Sequence, residues 1–162
     1  MAQNFFGSQP ETDRDDSGLG LFLRGDGTGR FEGWKPEQSG LIVPGEQRAA
    51  AVSDFDRDGR PDLVITQNRE LTKIYRNNLG KSGFRIVLHG PDSNPTGVGA
   101  QVRLIYPGDR LGPVKEVRAG GGYLSQDGAG LVLGMPEPPS GVWVRWPGRE
   151  PQRIPVKPGT TT

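Results

Sequence analysis

The apolar residues of this chain fall in short runs, and several runs alternate with polar residues one by one. In Ala100-Gln101-Val102-Arg103-Leu104-Ile105-Tyr106, the residues Ala100, Val102, Leu104 and Tyr106 share one face of an extended strand. Val142, Val144 and Trp146 do the same in Val142–Trp146. A two-residue period predicts half-buried β-strands. The same reading, with β-branched and aromatic content as a second cue, predicts strands at Leu19–Arg24, Arg30–Trp34, Ala49–Phe55, Leu63–Gln67, Thr72–Asn77, Phe84–His89, Lys115–Ala119, Leu131–Met135 and Arg153–Val156. Residues Arg69–Arg76 invite a helix, but Thr72, Ile74 and Tyr75, just before Asn77-Asn78, favour a strand. No window sustains a helical period with caps.

Turn residues separate these runs: Gly25-Asp26-Gly27, Asp58-Gly59, Asn78-Leu79-Gly80, Pro107-Gly108-Asp109 and Pro147-Gly148. Their placement decides how the composition reads. The chain of 162 residues has 26 Gly, 15 Pro and 32% hydrophobic residues, a balance that can accompany disorder. Here Gly and Pro fall between apolar runs, so the expected class is all-β with many turns. Acidic turns dominate before Gly80–Gly83; longer alternating strands and Ala119-Gly120-Gly121-Gly122-Tyr123 follow it. That shift predicts two regions, 1–80 and 81–162, with a loose end at Pro158–Thr162.

Charge and cysteine usage narrow the function classes. Twenty Lys and Arg against 19 Asp and Glu give a net charge of +1, with no long basic run, so no nucleic-acid partner is expected. No apolar run approaches the ~18 residues that cross a bilayer, so no membrane span is expected. Met1–Phe6 lacks the charged start and apolar core of a signal peptide. The absence of cysteine excludes disulfides, thiolate catalysis and thiolate metal sites.

The most informative stretch is Asp54-Phe55-Asp56-Arg57-Asp58-Gly59-Arg60-Pro61-Asp62. Counting from Asp54, carboxylates stand at positions 1, 3, 5 and 9, and Gly59 is at position 6, where a sharp bend is needed. Alternate side chains of such a turn converge on one point. The candidate ligands are Asp54, Asp56, Asp58 and Asp62 through their carboxylates, and Arg60 through its backbone carbonyl. An all-oxygen set suits Ca²⁺; Mg²⁺ demands tighter octahedral geometry and keeps its waters. The loop is not an EF-hand, because position 12 is Ile65 and the flanks read as strands. The competing reading is a solvated acidic turn.

These residues carry a resemblance. Ala51–Thr66, followed by Ile74-Tyr75-Arg76-Asn77-Asn78, resembles an FG-GAP/VCBS repeat, the Ca²⁺-binding blade of integrin-type β-propellers. Gly20–Phe31 resembles the outer hairpin of a preceding blade, without an acidic loop of its own. In the second half, Gly97-Val98-Gly99-Ala100-Gln101-Val102, Gly122-Tyr123-Leu124-Ser125-Gln126 and Val144-Arg145-Trp146-Pro147-Gly148 resemble the ASPIC/UnbV domain, which commonly follows such repeats in secreted cartilage-acidic-type proteins. The resemblance implies partial propeller-like blades with a Ca²⁺-binding hairpin loop, then a C-terminal antiparallel β-sandwich. A propeller needs about four to eight blades, and this chain has sequence for roughly one and a half.

Other signals are weaker. Arg24-Gly25-Asp26 is an adhesion tripeptide, but Gly and Asp are also what a hairpin turn prefers. Asp13, Asp15 and Asp16 lack a Gly at the required offset. The spacing of His89, Ser125 and Asp127 does not support a triad, and no Lys-Ser/Thr follows Gly120-Gly121-Gly122 to make a phosphate loop. Trp34, Trp143 and Trp146 read as core or as a sugar platform.

Three functions follow as expectations. The first is a non-catalytic, extracellular, Ca²⁺-binding structural or interaction protein. Its incomplete blades would pair with another copy in a surface polymer or filament, with Phe5 and Phe6 of Ala2–Gln9 filling a neighbour's pocket, or with another extracellular protein. The second is a carbohydrate- or matrix-binding adhesion module. The third, a metal-assisted hydrolase, is disfavoured because no histidine, base or nucleophile accompanies the oxygen ligands.

Overall fold

The computed structural model describes residues 1–3 and 18–157. The segment Ala2–Gln9 with Phe5 and Phe6, the acids Asp13, Asp15 and Asp16, and the end Pro158–Thr162 therefore lie wholly or mostly outside the described residues. The protein is all-β: antiparallel sheets, almost no helix, and no sheet closed into a barrel among the described residues.

The chain divides into two compact units. One comprises Met1–Ala51, Leu63–Tyr75 and Gly122–Ser125; the other comprises Val52–Asp62, Arg76–Gly121 and Gln126–Thr162. In the first unit, β1 (Phe22–Gly25) and β2 (Phe31–Trp34) form a hairpin with Phe22 opposite Trp34. Strands β3 (Gln47–Ser53), β4 (Asp62–Gln67) and β5 (Lys73–Tyr75) form a three-stranded sheet in that order, all within this unit save Val52, Ser53 and Asp62. Its small core is Leu41, Val43 and Ile65, with Ala50, Leu63 and Tyr75 against them. Gln47 is fully buried there and fully bonded. Its amide donates to Gly18 O at 3.1 Å and Val43 O at 3.0 Å, and its oxygen accepts from Gln3 N–H at 3.0 Å. A buried amide is tolerated only when satisfied in this way.

One turn of helix, α1 (Pro36–Ser39), was not expected. Four residues are too few to show a 3.6-residue period, so its signals are terminal ones. Pro36 opens it, Gln38 Oε1 accepts from Lys35 N–H at 2.9 Å, and Gly40 closes it at φ 68°.

In the second unit, β6 (Phe84–Val87) pairs with β10 (Gly130–Leu133). A larger sheet runs β12 (Gln152–Pro155), β11 (Gly141–Arg145), β7 (Gln101–Tyr106) and β8 (Arg110–Leu111), with β9 (Lys115–Glu116) also on β7. The two sheets share one core of Phe84, Leu131 and Leu133 against Val102, Leu104, Val142 and Val144. The alternation read from the sequence is realised here: Ala100, Val102, Leu104 and Tyr106 are each at most 2% exposed. Burying a side chain of Val or Leu size stabilises by about 1.5–3 kcal/mol. The remaining expected strands each overlap an observed one, with ends trimmed, extended or shifted; the short β8 was not expected. The Arg69–Arg76 segment holds strand β5, as expected.

Candidate metal centre

Residues Asp54–Pro61 connect β3 to β4 as a tight loop. Its curvature comes from two left-handed residues, Arg57 at φ 61° and Gly59 at φ 81°. Gly59 is required for space as well as for angle: a Cβ there would lie 3.2 Å from Ser82 Cβ and 3.3 Å from Gly83 O. Each acid also bonds forward along the loop. Asp54 Oδ2 accepts from Gly59 N–H at 3.2 Å, Asp56 Oδ1 from Asp58 N–H at 3.2 Å, and Asp58 Oδ1 from Arg60 N–H at 2.9 Å. These side-chain to backbone bonds turn the carboxylates inward.

A neighbouring segment braces the loop from outside. Gly83 N–H donates to Gly59 O at 2.8 Å, Ser82 Oγ to Asp58 O at 2.9 Å, and Arg60 Nε to Asn77 O at 2.8 Å. Val52, at the loop's entry, accepts from Gly128 N–H at 2.8 Å and donates to Asp127 Oδ1 at 2.9 Å.

The structure brings together Asp54, Asp56 and Asp58: one carboxylate oxygen of each lies within 4.8 Å of the others. Two Ca–O bonds of about 2.3–2.6 Å span a similar distance, so the spacing suits one hard cation among the three oxygens. Asp54 is 7% exposed, and its Oδ1 has no hydrogen-bond partner. A buried oxygen left unsatisfied costs about 1–3 kcal/mol. An ion coordinated there would remove that cost, so the donor set fits a divalent metal.

Asp62 is outside this cluster. It is 2% exposed, and its two oxygens accept backbone bonds from Asn77 N–H at 2.9 Å and Phe55 N–H at 3.1 Å. It closes the base of the loop. Arg60 enters through its side chain, whose guanidinium pairs with Asp58.

Two further residues, not picked out from the sequence, complete the electrostatics. Arg76 Nε lies 2.7 Å from Asp56 Oδ2, with a terminal nitrogen 3.5 Å from Asp58 Oδ2; Arg85 Nε lies 3.7 Å from Asp54 Oδ2. Three guanidinium groups thus face three carboxylates. Burial pushes the Asp58 carboxyl up, but the Arg60 N–H bond, then the Arg60 and Arg76 charges, outweigh it and hold it below the usual carboxylate value.

The other candidate residues have local roles. Asp26 Oδ1 accepts from Thr28 N–H and from the Thr28 hydroxyl, each at 2.7 Å, which lowers its carboxyl from the ordinary value and closes the turn. Arg24 lies over the Trp34 ring at 5.1 Å, and that ring packs at a 36° tilt against Phe22, centroids 5.5 Å apart. Trp146 packs against the second core. His89 is exposed.

Comparison with known proteins bears on the second half of the chain. No curated protein and no solved structure matches, and no FG-GAP/VCBS repeat is matched. The family model described as ASPIC and UnbV does match, and it places an ASPIC/UnbV domain at residues 90–161.

Proposed function

We propose that this chain is a non-catalytic, Ca²⁺-stabilised β protein that works outside the cell as an interaction or assembly module. The carrying observation is the meeting of Asp54, Asp56 and Asp58 within 4.8 Å around a buried carboxylate oxygen that lacks a partner. Asp54, Asp56 and Asp58 would hold the ion; Asp62 and the Arg60 carbonyl, the other expected ligands, border them in the same loop. The ion would supply charge and rigidity and no reaction chemistry. The FG-GAP/VCBS resemblance of Ala51–Thr66 supports this reading, and so does the ASPIC/UnbV match beside it.

Location follows from affinity. Extracellular Ca²⁺ modules bind at about 10⁻⁴–10⁻³ M, whereas cytosolic sensors work at about 10⁻⁷–10⁻⁵ M. A partly arginine-neutralised loop belongs to the weaker class and would stay empty in a resting cytosol. Self-association is supported by exposed apolar side chains on the first unit's strands, Phe31 at 69% and Ile74 at 64%.

Sedimentation of the purified chain with and without Ca²⁺, combined with thermal unfolding in EDTA, tests the proposal. Ca²⁺ at one hundred times Kd would add about 2.7 kcal/mol of stability. A monodisperse monomer in both conditions would remove the assembly part; an unchanged melting temperature would remove the metal.

Glycan binding is a second reading, favoured by one feature. Trp143 on β11 stands directly opposite Arg103 on β7 and Arg153 on β12. An indole with arginines at the facing positions of both neighbouring strands could stack on a sugar and pair with its acid groups. A glycan array with Trp143→Ala as the control separates the two readings.

A further inference from the structure

We infer that Arg76 is a built-in competitor of the metal, a guanidinium that ties the loop acids together in the free protein and leaves when a divalent cation enters. This rests on the Ca²⁺ reading above and adds a regulating residue to the same site.

The geometry singles out Arg76 among the three arginines. Its side chain spans two of the clustered carboxylates, with Nε on Asp56 and a terminal nitrogen on Asp58. Among the described residues its side-chain ion pairs and hydrogen bonds go to these loop acids, and its side chain is 54% exposed. Arg60 is anchored a second time through Asn77 O, and Arg85 is only 25% exposed beside the buried Asp54. Arg76 is therefore the cation that water can take up at least cost.

The physical consequence is an exchange. A divalent ion would draw on the same Asp56 and Asp58 carboxylates, with oxygens at about 2.3–2.6 Å. An arginine held on those carboxylates would face a double positive charge across a single carboxylate group, and the two cations repel one another. The two cations compete for the same two carboxylates, so apparent affinity falls with the fraction of time that Arg76 holds them. The same contact quenches repulsion among the acids in the free protein, so the loop keeps its shape before the ion arrives.

The test is a Ca²⁺ titration of the full chain against a chromophoric chelator, comparing wild type, Arg76→Gln, Arg76→Lys and Arg145→Gln. Arg145, whose guanidinium is held by Gln101, controls for loss of net charge. Arg76→Gln is expected to bind Ca²⁺ about two- to fivefold tighter, the range of an exposed ion pair, and to unfold at lower urea when Ca²⁺ is absent. Arg76→Lys, whose ammonium cannot span both acids, should fall between, and Arg145→Gln should match wild type. Should Arg76→Gln fail to fold, Arg76→Lys decides: tighter binding supports the exchange, and equal or weaker binding overturns it. Equal or weaker binding by Arg76→Gln overturns the competitor role while leaving the Ca²⁺ site standing. Binding by Arg76→Gln alone supports it, and no binding by either protein overturns both readings.

Discussion

Arg85 Nε stops 3.7 Å from Asp54 Oδ2, and neither that nitrogen nor Asp54 Oδ1 has a hydrogen-bond partner. The pair has charge complementarity without hydrogen bonds. Arg85 reaches the loop from β6, where it stands opposite Val132 on β10, and a Cβ on Gly130 would lie 3.2 Å from its guanidinium. The hydrophobic core thus fixes one counter-charge of the acidic loop.

Removing Arg85 would leave Asp54 buried with no opposite charge. Arg85→Gln should destabilise the Ca²⁺-free protein by about 1–3 kcal/mol. Saturating Ca²⁺ should shrink that loss, because the ion supplies the missing charge. Urea unfolding with and without Ca²⁺ measures both; an equal loss in the two conditions would count against a shared electrostatic role.

The two left-handed loop residues should respond in opposite directions. Gly59→Ala forces a Cβ into a φ of 81° and against Ser82 and Gly83, and should cost about 1–2 kcal/mol or more. Arg57, exposed at φ 61°, already carries such strain. Arg57→Gly relieves it but adds freedom to the unfolded chain. Its expected effect therefore runs from nothing to about 1 kcal/mol of stabilisation. A clear loss on Arg57→Gly would mean that the Arg57 side chain itself supports the loop.

Asp62 and Asp56 contrast an acid bonded to backbone N–H groups with one of the clustered acids. Asp62→Ala orphans the N–H groups of Phe55 and Asn77, and should lower stability by about 1–3 kcal/mol whether or not Ca²⁺ is present. Asp56 is exposed, and its loss should change stability mainly through Ca²⁺. Chemical denaturation of both variants in EDTA and in excess Ca²⁺ checks the contrast.

Much of this arrangement is legible in the residues. The alternation in Ala100–Tyr106 identifies the buried face correctly, because a sheet with one covered side imposes a period of two. The Asp-x-Asp-x-Asp-Gly spacing anticipates the meeting of Asp54, Asp56 and Asp58, because those residues are local in the chain. Arg76 and Arg85 are not local, and only the fold delivers them. One signal was nevertheless present for Arg76. Pairing the predicted strands Leu63–Gln67 and Thr72–Asn77 as a hairpin, which the structure realises with Leu63 opposite Tyr75, sets Arg76 level with Asp62 at the mouth of the loop. Arg85 had none, since its approach depends on how β6 lies beside β10. The two backbone bonds of Asp62 were hidden for a related reason, since spacing does not say which N–H groups a carboxylate meets.

Calorimetric titration of Ca²⁺ into wild type and Asp56→Ala tests the central claim most directly. One site per chain is expected, with Kd of about 10⁻⁴–10⁻³ M, the range of extracellular modules. Asp56→Ala should weaken it at least about tenfold, or 1.4 kcal/mol, through loss of one anionic ligand. Absence of binding to wild type, or an unchanged Kd in Asp56→Ala, would contradict the assignment of this loop as a Ca²⁺ site.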